Sequence, residues 1–171
     1  MDDAIYTRGA RWLHWAMAVL IIGNLVGGLA HDVDPKLIMP LHKSAGFLLL
    51  ALALVRVAWR FTHRPPALPG TMAGWEKLAS HATHITLYAM MVLIPLSGWI
   101  MSSPSPYPLD FFGLFPIMKF DVAKDSALAG IAHEGHELLA FAMIGLLLLH
   151  IGAALRHHFI IKDNVLRRMV G

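Results

Sequence analysis

The stretch that decides the fold is residues 136–150, which read HELLAFAMIGLLLLH. The chain carries no Asp, Glu, Lys or Arg from Leu138 to Leu155, and such a run is typical of a membrane-spanning helix. His136 and His150 are 14 residues apart. Because an α-helix turns about 100° per residue, their side chains point within about 40° of the same direction. At a rise of about 1.5 Å per residue, they lie about 21 Å apart along the helix axis. This helix therefore predicts two imidazoles on one face, one near each side of a membrane.

Three further stretches lack charged side chains, and the overall composition agrees with a membrane protein. The chain is 57% hydrophobic and 15% charged with a mean hydropathy of +0.59, whereas a soluble domain is about a quarter charged. We predict an all-α fold, an integral membrane four-helix bundle with haem held in its core, as one domain over residues 1–171. The predicted helices cover about residues 8–30, 38–62, 75–102 and 126–158.

Residue usage excludes several classes of site and partner. Cysteine is absent, which excludes disulfides, Cys-ligated iron–sulfur clusters, thiolate zinc sites and a covalently attached c-type haem. A net charge of +3 would suggest nucleic acid in a soluble protein. Here the basic residues cluster beside apolar segments, which indicates membrane topology, with lipid as the partner and no nucleic acid.

The distribution of Lys and Arg predicts the orientation in the membrane. Ten basic residues fall on one side of the predicted spans and four on the other, which predicts a multi-pass protein of the cell membrane with both termini in the cytoplasm. The loop between helices three and four, rich in proline and aromatic residues, then faces outside. The ten are Arg8, Arg11, Arg56, Arg60, Arg64, Lys77, Arg156, Lys162, Arg167 and Arg168, and the four are Lys36, Lys43, Lys119 and Lys124.

Four histidines fall within the predicted spans, where an ionisable residue is a functional candidate by default. His14 lies near the cytoplasmic side of helix one, and His42 lies near the outer side of helix two. Depth therefore pairs His14 with His150 and His42 with His136. Each pair can clamp one flat haem between two antiparallel helices, which predicts two non-covalent haem b groups with bis-His ligation.

Bis-His ligation favours electron transfer, because both axial positions of the iron are filled and none is left for oxygen. Zinc would need about four ligands around one point, whereas these histidines form two separated pairs. A haem-free, His-lined metal or proton transporter is the alternative from another class. Such transporters often carry carboxylates in the membrane path, and no acidic residue lies deep in any span here.

Other residues near the predicted sites have more than one interpretation. His133 competes with His136, but it is about 100° off the face of His150, so we interpret it as interfacial, near a propionate. His81 and His84 begin helix three and are interpreted as a hydrated helix end, with ligation as the alternative, and His84 is also a candidate for supporting a haem or its propionate. Arg56 and Arg60 either snorkel to the interface or pair with a haem propionate.

Several sequence motifs together resemble the bacterial cytochrome b561 family over nearly the whole chain. They are Leu13-His14-Trp15, the run Leu41–Gly46, His136-Glu137 with Leu149-His150, His81 with His84, and the tail from His157 to Leu166. The resemblance implies a four-helix dihaem membrane protein. Members of the family include superoxide oxidase, which takes electrons from superoxide outside and passes them to ubiquinone in the membrane.

The resemblance also implies roles for residues at each side. Lys36, Lys43, Lys119 and Lys124 are the candidates for steering superoxide towards the outer haem. His157, His158 and Lys162 are the candidates for a quinone site, and their alternative role is a positively charged cytoplasmic anchor. The alternative function is a cytochrome b subunit that links a partner dehydrogenase or hydrogenase to quinone as its protein redox partner.

Overall fold

Four long helices form most of the molecule. The computed structural model describes residues 5–63 and 65–171, so Arg64 of the charge count lies outside the described residues. Each long helix is long and apolar enough to cross a membrane, and the described residues contain no strand, only an isolated bridge between Asp110 and Pro116. The prediction of an all-α, four-helix membrane protein is confirmed. The helices are α1 (Arg8–Leu29), α2 (Pro35–Thr62), α3 (Gly74–Ser102) and α4 (Ala127–Arg156).

Side-chain oxygens satisfy the free backbone N–H groups where three of these helices begin. Thr7 accepts a hydrogen bond from the N–H of Ala10, and Ser126 accepts one from Ala129. Asp34 accepts one from Leu37, and Pro35 occupies the first helical position, where its missing N–H costs nothing. This Asp-Pro pair explains why α2 begins at Pro35 and not near the predicted residue 38.

The helices pack in chain order. α1 packs on α2, α2 on α3, and α3 on α4, whereas α4 makes at most sparse backbone contact with α1 and α2. We call the region between α4 and the first two helices, where close backbone contacts are few, the opening. The end where α2 and α4 begin is the loop end. The end where α1 begins and α4 ends is the terminal end.

The long loop between α3 and α4 is tied down at the loop end. The buried hydroxyl of Ser44 donates to the carbonyl of Asp110 at 3.2 Å and accepts from the N–H of Phe112 at 3.0 Å. The indole N–H of Trp99 donates to the carbonyl of Met118 at 2.8 Å. These hydrogen bonds hold the loop against α2 and α3, so it covers this mouth of the bundle.

The terminal end is closed by the last residues of the chain. α4 continues as a π-helical turn, His157–Ile161, which ends where Lys162 adopts a left-handed conformation with φ of 59°. A short helix, α5 (Arg167–Val170), then folds back against α1. The indole N–H of Trp15 donates to the carbonyl of Met169 at 3.0 Å, and Arg11 donates to the carbonyl of Val170 at 3.1 Å.

Candidate functional site

The structure brings the four membrane histidines together as two pairs across the opening in the bundle. The ring centres of His42 and His136 are 6.1 Å apart, and those of His14 and His150 are 6.2 Å apart. A metal–imidazole bond is about 2 Å long, so two imidazoles on opposite sides of one iron have ring centres roughly 6 Å apart. We call His42 and His136 the loop-end pair, and His14 and His150 the terminal-end pair.

Both rings of the loop-end pair are oriented by carbonyl oxygens. Nδ1 of His42 lies 3.0 Å from the carbonyl of Asn24, and Nδ1 of His136 lies 3.0 Å from that of Ile94 and 3.1 Å from the hydroxyl of Ser97. A carbonyl only accepts, so each Nδ1 carries the proton and each Nε2 keeps its lone pair. This is the tautomer that a metal-ligating histidine needs, and the hydrogen bond fixes the ring direction.

Two glycines make room for the loop-end rings. A Cβ atom added at Gly98 would lie 3.0 Å from Cε1 of His136, and one added at Gly28 would lie 3.1 Å from Cε1 of His42. Each imidazole therefore rests directly on the backbone of a neighbouring helix turn. Gly23, by contrast, has no neighbouring atom within 4 Å of an added Cβ.

The terminal-end pair has a different environment, with charged and titratable neighbours. Nη2 of Arg56 lies 3.3 Å from Nδ1 of His14. His84 packs beside His150 with ring centres 5.4 Å apart, and its Nδ1 lies 2.6 Å from the carbonyl of Ser80. The ring of His84 is half-buried, and its role at the hydrated helix end or beside a haem stays a prediction. His81, one turn earlier, is exposed.

The donor set of each pair fits a flat cofactor better than a free metal ion. Over residues 5–63 and 65–171, no three His, Asp or Glu side chains come together as a metal-binding group. Each pair brings two imidazoles from separate helices to a ring-centre distance of 6.1 or 6.2 Å, which fits a haem whose other four nitrogen ligands come from the macrocycle.

Comparison with known proteins agrees with this geometry. Residues 5–171 match the family described as prokaryotic cytochrome b561. The chain belongs to the prokaryotic cytochrome b561 family. It is 34% identical over 164 residues to cytochrome b561 homolog 2 of Escherichia coli, covering 92% of this chain and 87% of that protein.

Two further relatives carry different names. The chain is 29% identical to the probable superoxide oxidase CybB of Yersinia pestis, covering 92% of this chain and 91% of that protein. It is 30% identical to cytochrome b562 of Cereibacter sphaeroides, covering 96% of this chain and 94% of that protein. This cytochrome b561 is therefore a bacterial membrane electron-transfer protein of a b-type haem family, an oxidoreductase in general terms.

The predicted quinone residues of this cytochrome b561 lie around the π-helical turn. His157 is buried, and its Nδ1 lies 2.6 Å from a carboxylate oxygen of Asp163. His158 and Lys162 line a depression of about 260 Å³ beside this pair, together with Arg167. Sequence reasoning missed Asp163 because only the turn after α4 brings the carboxylate back to His157.

The four lysines predicted to steer superoxide differ in their exposure and in their hydrogen bonds. Lys36 and Lys124 are exposed, and Lys43 is half-buried. The ammonium group of Lys119 donates to two loop carbonyls, those of Ser105 and Tyr107, at 2.5 and 2.7 Å. Lys119 therefore fastens the loop as well as adding positive charge.

One depression at the loop end brings two polar candidates together. It measures about 400 Å³, and Lys124 and His133 line it with Met101, Ser105 and Gly130. His133 is exposed and lies one helical turn before His136. The interpretation of His133 as an interfacial residue agrees with this position, and its proximity to a propionate stays a prediction.

Proposed function

We propose that this cytochrome b561 holds two b haems, one at each histidine pair, and transfers electrons from superoxide at the loop end to ubiquinone at the terminal end. The observation that carries the proposal is the separation of about 6 Å between ring centres in both pairs. His42 with His136 and His14 with His150 would each hold one haem, and each haem, when bound, would supply a one-electron redox centre.

The protein's own contribution is to keep the two sites at fixed positions along α4. His136 and His150 belong to one continuous helix, so their axial separation is about 21 Å. α1 supplies the partner at one depth and α2 the partner at the other. Each pair therefore joins α4 to a different partner helix, with ring centres 6.1 and 6.2 Å apart at the two depths.

At the loop end, the proposed donor is superoxide. Two superoxide ions each give up one electron and leave as O₂, and no proton is taken up in this step. Exposed Lys36 and Lys124 raise the local concentration of an anion, and the depression beside His133 leads to the turn before His136.

At the terminal end, the proposed acceptor is ubiquinone, which takes up both electrons and two protons to form the quinol. His158 and Lys162 offer hydrogen-bond donors to quinone carbonyls from the wall of the depression. The His157–Asp163 pair can hold a proton next to the same wall. Orientation with both termini in the cytoplasm would bring these protons from the cytoplasmic water.

The test is to mix purified oxidised protein with a xanthine/xanthine oxidase source of superoxide and follow the haem absorption bands. We expect reduction of low-spin b haem, loss of the signal when superoxide dismutase is added, and reoxidation by a soluble ubiquinone analogue. The reduction rate should fall with increasing salt, because steering of an anion is screened.

The same experiment has a clear negative outcome. Two haems per chain that superoxide does not reduce would reject the donor, and stoichiometric co-purification with a dehydrogenase or hydrogenase would favour the carrier-subunit function. Absence of haem from folded protein expressed with adequate haem supply would reject the whole proposal.

A further inference from the structure

Arg56 places a positive charge within the membrane-spanning part of α2, directly against the terminal-end pair. Its side chain is half-buried and bonds to two neighbouring helices, α1 and α3. Nη2 lies 3.3 Å from Nδ1 of His14, Nε donates to the hydroxyl of Tyr88 at 3.3 Å, and Nη1 donates to the carbonyl of Ala10 at 3.4 Å. All three of these partners are uncharged, so none of them neutralises the guanidinium.

Among the described residues, the two acidic groups at the terminal end are paired with other side chains. Glu76 forms an ion pair with Arg156 at 3.1 Å, and Asp163 bonds to His157 at 2.6 Å. The direct chain neighbours of His14 and His150 are apolar. Within residues 5–63 and 65–171, no carboxylate therefore pairs with the guanidinium of Arg56.

The loop-end pair has the opposite arrangement. Its two rings face carbonyl oxygens, which carry partial negative charge. The charged residues that follow them in the chain, Lys43 and Glu137, have opposite signs. The two pairs thus differ in the groups that meet the rings directly, which are carbonyl oxygens at the loop end and a guanidinium at the terminal end.

Charge beside a haem shifts its reduction potential, because the oxidised iron carries one more positive charge than the reduced iron. A nearby cation destabilises the oxidised form, and the effect is strong where little water screens it. We propose that Arg56 raises the reduction potential of the haem at the terminal-end pair above that at the loop-end pair. Electron flow from the loop end to the terminal end is then downhill. This inference rests on the proposed function only in requiring two haems.

Arg60 offers a matched control. The guanidinium carbons of Arg56 and Arg60 lie 6.0 and 5.9 Å from the centre of the same Tyr88 ring, so both cations lie beside one aromatic side chain. Arg60 is exposed, however, and Arg56 is the one whose guanidinium meets His14. If the role is specific to Arg56, substitution of Arg56 and substitution of Arg60 should therefore have different effects on the reduction potentials.

The experiment is a spectroelectrochemical titration of the purified holoprotein and its Arg56→Gln, Arg56→Lys and Arg60→Gln variants. In Arg56→Gln we expect one midpoint potential, the higher of the two, to fall while the other stays in place. The equilibrium constant for electron transfer from the lower-potential to the higher-potential haem should fall at least tenfold, which is about 59 mV for one electron. Arg56→Lys should retain most of the difference, and Arg60→Gln should change it far less.

Several outcomes would overturn the inference. They are unchanged potentials in Arg56→Gln, an equal shift of both haems, or the same shift in Arg60→Gln. If Arg56→Gln loses haem, Tyr88→Phe carries the test, because it removes the hydroxyl that holds Nε of Arg56. A smaller fall in the same midpoint potential supports the inference, and no change overturns it. If the protein binds two haems and neither midpoint potential depends on Arg56, the inference fails and the proposed function remains. A single haem per chain would reject both the inference and the proposed function.

Discussion

The loop end and the terminal end of this bundle hold chemically identical histidine pairs in different surroundings. At the loop end the rings are oriented by the carbonyls of Asn24 and Ile94, and a tethered loop covers the mouth. At the terminal end a guanidinium, a third imidazole and a buried His157–Asp163 pair lie nearby. The first arrangement fixes the ring directions, and the second places charge and hydrogen-bond donors where the proposed reduction of a quinone would use them. The following predictions test or refine this difference.

The largest expected effect comes from removing one ligand at each end. His136→Ala should lose the loop-end haem and His150→Ala the terminal-end haem, so haem content should fall from two per chain to one in each. A pyridine haemochrome assay measures the content, and His81→Ala is the control because His81 is exposed. Loss of both haems from either variant, or of neither, would contradict two independent sites.

The next effect concerns the acceptor at the terminal end. Asp163→Asn removes the carboxylate that orients His157, and loss of such a supporting partner typically costs 10- to 100-fold. We expect ubiquinone reduction to slow about tenfold or more while reduction of the haems by superoxide is unchanged. Stopped-flow absorption measures both steps, and Asp125→Asn in the outer loop is the control. Equal slowing of both steps would argue that Asp163 acts through overall stability.

A smaller effect should distinguish the tight loop-end packing from the rest of α4. Gly98→Ala places a methyl group 3.0 Å from the ring of His136, and overpacking of this kind costs about 1–3 kcal/mol. We expect haem binding at the loop-end pair to weaken while the other haem is retained. Haem titration of the apoprotein measures the affinities. Gly152→Ala, where an added Cβ has no neighbour within 4 Å, should leave both unchanged.

The smallest effect should come from the loop itself. Ser44→Ala removes the hydroxyl that bonds to Asp110 and Phe112, leaving a backbone N–H without that partner. We expect a loss of about 1 kcal/mol of stability. Thermal unfolding in detergent measures this loss, and Thr71→Ala, at an exposed position, is the control. If the haem content of Ser44→Ala fell as far as that of His136→Ala, the loop would be needed for haem binding as well as for covering this end of the bundle.

Much of the architecture could be predicted because the relevant signals are local. Hydrophobic runs set the number of helices, and the 14-residue spacing on α4 predicted two depths. The tertiary contacts that shape the site could not be predicted in the same way. The distance from His84 to His150 depends on how α3 packs on α4. The ligand assignment itself stays a prediction until haem is measured.

The sequence by itself determined the membrane class, the four helices and the histidines available at each depth, because hydropathy and helical periodicity act along the chain. Only the tertiary structure decided which groups face those histidines. The contact of Arg56 with His14, the carbonyls behind His42 and His136, and the return of Asp163 to His157 all join residues of separate elements or cross a turn. Such contacts depend on helix rotation and on where a helix ends, which local propensity does not specify.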